Sequence, residues 1–182
     1  MATSQSVQQP ERRGFLAKFL AGFIGTLVGL VPGAAGLYLF FDPLKRGSQA
    51  AQKTKITTLE ALPKDGAPRK FAIMASRADA WTNYPNTPIG AIYLRRIGER
   101  KVEALNVVCP HAGCFIDFRN DKNKFYCPCH DSSFNLDGSI ADRKSPSSRA
   151  MDSLEVEVRD DGEVWVRFQN FKTGHAQKIP VS

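Results

Sequence analysis

An all-β head carried on one N-terminal transmembrane helix is the architecture this sequence predicts. Three observations predict it. Residues Phe19 to Phe41, "FLAGFIGTLVGLVPGAAGLYLFF", form 23 residues without a charge. Near the other end, "LEVEVRDDGEVWVRF" alternates apolar and polar residues on both sides of Asp160-Asp161-Gly162. Between and after these, no helix-period run lasts more than a few turns, while short β-type runs broken by Gly, Pro and Asn recur.

The apolar run spans about 35 Å at helical rise, against a hydrocarbon core of roughly 30 Å. Arg12, Arg13 and Lys18 precede it, and Asp42, Lys45 and Arg46 follow. The positive excess on the near side places residues 1–18 in the cytoplasm and the head on the periplasmic side of a bacterial inner membrane. Arg12-Arg13 in "ERRGFLAKFL" resembles a twin-arginine signal. Gly33 and Ala35 would suit a peptidase. The apolar character continues past them through Leu37, Leu39, Phe40 and Phe41, so an uncleaved anchor over 19–41 is expected. Gly25, Gly29 and Gly33 fall on one face, where a second membrane helix approaches closely. Pro32 is expected to kink the helix.

"DPLKRGSQAAQKTK", residues 42–55, is polar and rich in small residues, and reads as a tether. The head then runs over 56–182. Its strands are expected at "KFAIMA", at "IGAIYLRRI" from Ile89, at "VEALNVV" from Val102 and at "KFYC". The Gly162 turn predicts a hairpin with Val164, Val166 and Phe168 on one face and Trp165 on the other, packed on a neighbouring sheet. Trp81 and Tyr84 in "WTNYPNTP" are expected to pack a loop. His175 is expected to face solvent in a polar C-terminal tail. The composition, 42% hydrophobic and 24% charged, fits a folded chain. The net charge of +7 is scattered, with no basic block or aromatic-interleaved stripe, so nucleic acid is not an expected partner.

The chemistry lies in "CPHAGCFIDFRNDKNKFYCPCH", Cys109 to His130, which holds all four cysteines and two of the three histidines. The spacing is Cys109-x-His111-x2-Cys114, twelve residues, then Cys127-x-Cys129-His130. A structural zinc site is one reading, although such sites pair ligands as C-x2-C or H-x3-5-H. Two disulfides are another, since the head is expected outside the cytoplasm. That reading leaves two histidines beside the sulfurs unexplained.

The two halves, C-x-H-x-x-C and C-P-C-H, resemble the two boxes of the Rieske iron–sulfur proteins. With anchor, tether and β head, the resemblance covers nearly the whole chain. It is similar to the Rieske subunit of quinol–cytochrome c oxidoreductases of the cytochrome bc or b-f type. The resemblance implies antiparallel sheets with a small cluster-binding subdomain, here about residues 105–150. It also implies a 2Fe-2S cluster, with Cys109 and Cys127 on one iron and His111 and His130 on the other. Two neutral imidazoles in place of two thiolates raise the potential to about −150 to +300 mV, against about −400 mV for plant-type ferredoxins. Cys114 and Cys129 are then expected to form a disulfide between the two loops. His130 is the first candidate to meet quinol and take its hydrogen, with His111 second. Ser132 would donate to a bridging sulfide.

The implied partners are quinol, a cytochrome b-type membrane subunit and a c-type cytochrome, with the head swinging on its tether between them. The small Rieske subunit of a molybdenum arsenite oxidase is the alternative. A zinc-stapled scaffold domain is a third reading. A soluble oxygenase ferredoxin is disfavoured by the anchor and the extra cysteine pair. The chain departs from the family's C-P-C-H-G-S-x-Y at two places. Phe134 stands where Tyr would donate to a cysteine sulfur, and Asp131 replaces Gly. Both changes disfavour the reduced, more negative cluster, so a low potential matched to menaquinol is expected. Ala112 replaces a larger apolar residue. In "KSPSSRAMDSLEV" only Pro146 remains of the family's proline loop, so a looser third loop is expected.

Overall fold

The computed structural model describes residues 12–45, 53–78 and 82–181. The chain divides into two units, Met1–Gly47 and Ser48–Ser182.

The first unit is one helix, α1, Arg12–Lys45. It is longer at both ends than the 19–41 expected from hydropathy, and it continues through Pro32. Gly14–Phe41 is long and apolar enough to cross a membrane, with a mean hydropathy of 1.9, and its side chains are unburied. That fits a single-pass anchor. The sites beside Gly22, Gly25, Gly29 and Gly33 are open. Thr26 Oγ1 donates to Gly22 O at 2.8 Å, which satisfies a hydroxyl that lipid would leave stranded. Of the expected tether, 42–45 closes the helix and Lys53 opens the first strand. Residues 46–52 lie outside the described residues.

The head holds nine strands among its described residues: β1 (Lys53–Thr58), β2 (Arg69–Ala78), β3 (Asn83–Arg96), β4 (Val102–Asn106), β5 (Asp117–Arg119), β6 (Lys124–Cys127), β7 (Ser132–Phe134), β8 (Ser153–Val158) and β9 (Glu163–Arg167). They form a six-stranded sheet, β1-β9-β8-β4-β3-β2, and a three-stranded sheet, β5-β6-β7. Every pairing is antiparallel.

Alternation along β3 and β4 divides the core in two. Ile92, Leu94 and Ala104 face one side, with Ile73, Val164, Val166 and Phe168. Tyr93 and Leu105 face the other, with Val107, Cys109, Ile116, Phe125, Cys127, Phe134 and Met151. Side chains of period two make these strands the shared wall. The first core belongs to the large sheet. The second lies beneath the cysteine loops.

The β8–β9 hairpin forms as its sequence predicts. Val158 pairs with Val164, Gly162 sits at φ +81°, and the Glu163 amide donates to Asp161 Oδ1 at 3.0 Å. Trp165 lies on the other face from Val164, Val166 and Phe168, as expected. The Arg159 guanidinium lies 3.7 Å from the Trp165 ring centroid, and the indole Nε1 donates to Glu163. A cation over the indole serves on an outer face as packing serves inside. The "WTNYPNTP" stretch differs from expectation. Asn83 to Pro88 is strand, lengthening β3 to 14 residues, and Tyr84 is exposed opposite Arg77 in the ladder. Its Pro and Asn concealed a β-ribbon that bulges between Ala75 and Arg77. Trp81 lies outside the described residues.

Gly90 marks a second irregularity in this ladder, where the register shifts beside Ile73. A Cβ there would lie 2.2 Å from Cζ of Phe168, whose ring is buried. Gly90→Ala is therefore expected to destabilise the head by about 1–3 kcal/mol, an overpacking cost, read as a lowered thermal midpoint. An unchanged midpoint would show that the Phe168 ring yields freely.

Candidate metal centre

Two hairpin loops at one end of the head carry the six cysteine and histidine side chains. The first, Val107–Ile116, is closed at its root by Ile116 N–H to Val107 O and by Cys109 N–H to Cys114 O, both 2.8 Å. Gly113, at φ +84°, turns the chain so that its amide reaches Cys109 O at 2.9 Å. Tyr93 fastens this loop to the wall. Its hydroxyl donates to Ile116 O at 3.2 Å and accepts from the Phe118 amide at 3.0 Å. Burial raises the Tyr93 phenol above its ordinary pKa, which keeps the donor protonated.

The second loop joins β6 to β7. Cys127 pairs with Ser132 at its root, and residues 128–131 form its tip. Asp131 sits at φ +58°, the left-handed region. Asp tolerates it better than most residues, and here Asp131 Oδ1 accepts from the Tyr126 hydroxyl. That bond raises the Tyr126 phenol above its ordinary pKa.

The fold brings all six predicted side chains together. Cys114 and Cys129 are joined by a disulfide, with Cα atoms 6.5 Å apart. Cys109 and Cys127 are free thiols, both buried. The His111 and His130 rings meet edge to face, centroids 4.8 Å apart. His111 is half-buried and His130 exposed. The sulfurs of Cys114, Cys127 and Cys129 lie within 4.8 Å of one another, but two are spent in the disulfide, so this trio is no thiolate triangle.

Two buried polar atoms here have no hydrogen-bond partner: His111 Nδ1 and Ser132 Oγ. Burial pushes the Cys109 thiol above its ordinary pKa, and the adjacent Cys127 sulfur adds to this. Each orphaned atom ordinarily costs about 1–3 kcal/mol. Two adjacent buried thiols, with the His111 imidazole nitrogen and the Ser132 hydroxyl beside them, are what a metal cluster with bridging sulfides satisfies. The donor set fits an iron–sulfur group.

Phe134 is fully buried in β7, opposite Phe125, and bridges to Ile140. The loop after β7 carries a set of hydrogen bonds of its own. The Ala141 amide donates to Ser133 O, Ser147 Oγ to Arg149 O, and the Arg149 guanidinium grips Asp152 through two bonds of 2.9 and 2.8 Å. The Arg149–Asp152 ion pair is buried, a feature that a reading of the proline pattern overlooked. Tyr93 and Tyr126 were overlooked too. Each is one apolar-looking strand residue among several, and no local signal marks its hydroxyl.

A head of paired antiparallel sheets with two such loops has the build of an iron–sulfur domain. The chain belongs to the Rieske family: residues 55–158 match the Rieske [2Fe-2S] domain model, and its cofactor is a 2Fe-2S cluster. It is 28% identical over 165 residues to the menaquinol:cytochrome c reductase iron-sulfur subunit of Geobacillus thermodenitrificans, covering 86% of this chain and 91% of the relative. The corresponding subunit of Bacillus subtilis is 27% identical over 154 residues, covering 82% and 87%. The chloroplastic cytochrome b6-f iron-sulfur subunit of Pisum sativum is 40% identical over 75 residues, 40% of this chain and 33% of the relative. Among solved structures, the plasma membrane Rieske protein PetC3 of Synechocystis PCC 6803 superposes with a TM-score of 0.44 at 23% identity, covering 62% of this chain and 97% of that one.

Proposed function

We propose that this chain is the membrane-anchored electron-transfer subunit of a quinol:cytochrome c oxidoreductase, taking an electron and a proton from quinol. The observation that carries the reading is the exposure contrast at the centre. Cys109 and Cys127 are buried, whereas His130 reaches solvent at the loop tip. In this reading Cys109 and Cys127 hold one iron, and His111 and His130 the other. The bound cluster supplies one reversible electron-accepting step.

The residues of the chain do the rest. The thiols and the Ser132 hydroxyl are kept from water, so donors aimed at the cluster are not diluted by solvent. His130, with one nitrogen committed to metal, offers the other to a hydroxyl of a docked quinol and holds its proton. The likeness to two menaquinol:cytochrome c reductase subunits, along most of both chains, supports a low-potential quinol, a cytochrome b-type subunit and a c-type cytochrome as partners. The apolar helix supports an anchor in the bacterial cytoplasmic membrane.

The test is a potentiometric titration of the reduced-cluster paramagnetic resonance on isolated membranes, followed by purification with partners. The reading expects a one-electron couple, reduction of the cluster by menaquinol, and co-purified haem. Co-purified molybdenum without haem would assign the chain to an arsenite-oxidase-like pair instead. Within the same titration, Phe134→Tyr is expected to raise the midpoint. A donor worth about 1 kcal/mol to the reduced cluster corresponds to roughly 40 mV for one electron. An unchanged midpoint would make Phe134 a core aromatic only.

A further inference from the structure

The geometry points to Arg149 as a positioning residue for the first cluster loop, acting through a C-terminal strap of residues 169–175. The inference rests on the assignment of His111 to the cluster. The sequence of this segment reads as a polar C-terminal tail, and His175 is exposed as expected. Phe171, however, is buried and bridges to Pro180, so the chain folds back on itself. The Val181 amide donates to Asn170 O at 2.9 Å and the Lys172 amide to Ile179 O at 2.8 Å.

This strap touches the first loop at three places. The Gly174 amide donates to Pro110 O at 2.8 Å, one residue before His111. A Cβ on Gly113 would lie 3.6 Å from Thr173 Cγ2, and one on Gly174 3.7 Å from His111 O, so strap and loop run side by side here. At the loop root, buried Asn106 donates from Nδ2 to Gln169 O at 3.0 Å and to Asn170 Oδ1 at 3.1 Å, while its Oδ1 accepts from the Val108 amide at 2.9 Å. Strap and loop are therefore joined by one backbone bond, at Gly174, and by two bonds from the Asn106 side chain at the loop root.

Arg149 holds the strap in place. Its side chain is only 9% exposed, and Asp152 is 5% exposed. Besides gripping Asp152, the guanidinium donates to Lys172 O at 3.0 Å and to His175 O. These carbonyls flank Gly174, whose amide meets the loop. A planar fork of five donors spans a carboxylate and two carbonyls at once; an ammonium does not. Arg149 thus links the third loop to the first through the strap, with no hydrogen bond of its own to His111 or His130.

The experiment uses the full-length, cluster-loaded protein in detergent, as wild type, Arg149→Met and Arg149→Lys. Amide hydrogen exchange is followed at Gly174 in the strap, at Cys109, Gly113 and Ile116 in the loop, and in the β8–β9 hairpin. The resonance spectrum and midpoint are read on the same samples. Arg149→Met is expected to speed exchange by about tenfold or more at Gly174 and in the loop together, leaving the hairpin unchanged. It should also broaden the resonance and shift the midpoint, and Arg149→Lys should show the same effects in part. If the methionine variant fails to fold, the lysine variant alone decides. Faster exchange at Gly174 with an unaltered loop and spectrum would overturn the inference. A wild type lacking the Rieske resonance would defeat the functional reading instead, while the exchange coupling of strap and loop would still be read.

Discussion

Replacing Cys109 with serine is expected to yield a folded head that binds no 2Fe-2S cluster. Iron and acid-labile sulfide should fall at least about tenfold relative to wild type, since an alkoxide is a poor substitute for thiolate on such clusters. The structure gives two reasons for so large an effect. Cys109 is 1% exposed and faces Cys127, so no water or neighbouring carboxylate stands ready to fill the vacant position. The remaining cysteines are also spoken for, since Cys114 and Cys129 are joined to each other. Folding should survive, because the core of the six-stranded sheet, built from Ile73, Ile92, Leu94, Val164 and Val166, contains none of the ligand residues. Far-ultraviolet circular dichroism is expected to keep its strand signal while the visible spectrum disappears. His175→Ala, exposed and bonded to its neighbours through its carbonyl, is the control and should keep full iron. Iron retained in the serine variant would remove Cys109 from the ligand set.

The parts of this protein that were legible in its sequence share a physical cause. The helix, the β8–β9 hairpin and the two boxes are local. A charge-free run, a Gly turn between alternating residues, or cysteines and histidines at fixed spacing announce themselves within some twenty residues. What was illegible depends on distant partners. Asn83 to Pro88 reads as a loop because Pro and Asn disfavour strands, yet β2 supplies a partner and a bulge to absorb them. Trp165 alternates as a strand residue should, but only the fold decides that Arg159 covers it. The sharpest case is the C-terminal segment. Its side chains from Lys172 to Lys178 are largely exposed, as a polar tail's would be, yet its backbone groups bond Asn106, Pro110 and Arg149. Composition does not separate a polar strap from a polar tail.

The second large effect is expected from cutting the bond between the loop tips. Cys114 and Cys129 are 15 residues apart, a loop whose closure stabilises by about 3 kcal/mol on a chain-entropy estimate. For a head of this size that corresponds to a drop of roughly 10 °C in melting midpoint. The consequence for the cluster should exceed the consequence for the fold. Each loop is closed at its own root, by Cys109–Cys114 backbone bonds in one and the Cys127–Ser132 ladder in the other. At their tips the covalent bond is the link that fixes one loop against the other. The choice of variant matters. Cys114→Ser alone would free a Cys129 thiol whose sulfur lies within 4.8 Å of that of Cys127, a rival ligand beside His130. The double variant, Cys114→Ser with Cys129→Ser, removes the bond without creating a competitor. It is expected to assemble the cluster and then lose it early on heating. Bleaching of the visible circular dichroism should therefore precede loss of the far-ultraviolet signal, whereas in wild type the two should coincide. The single variant should fare worse than the double, with a heterogeneous resonance. Coincident transitions in the double variant would mean that the loop roots and the strap beneath the first loop already hold both tips, leaving the disulfide to act on the unfolded chain alone.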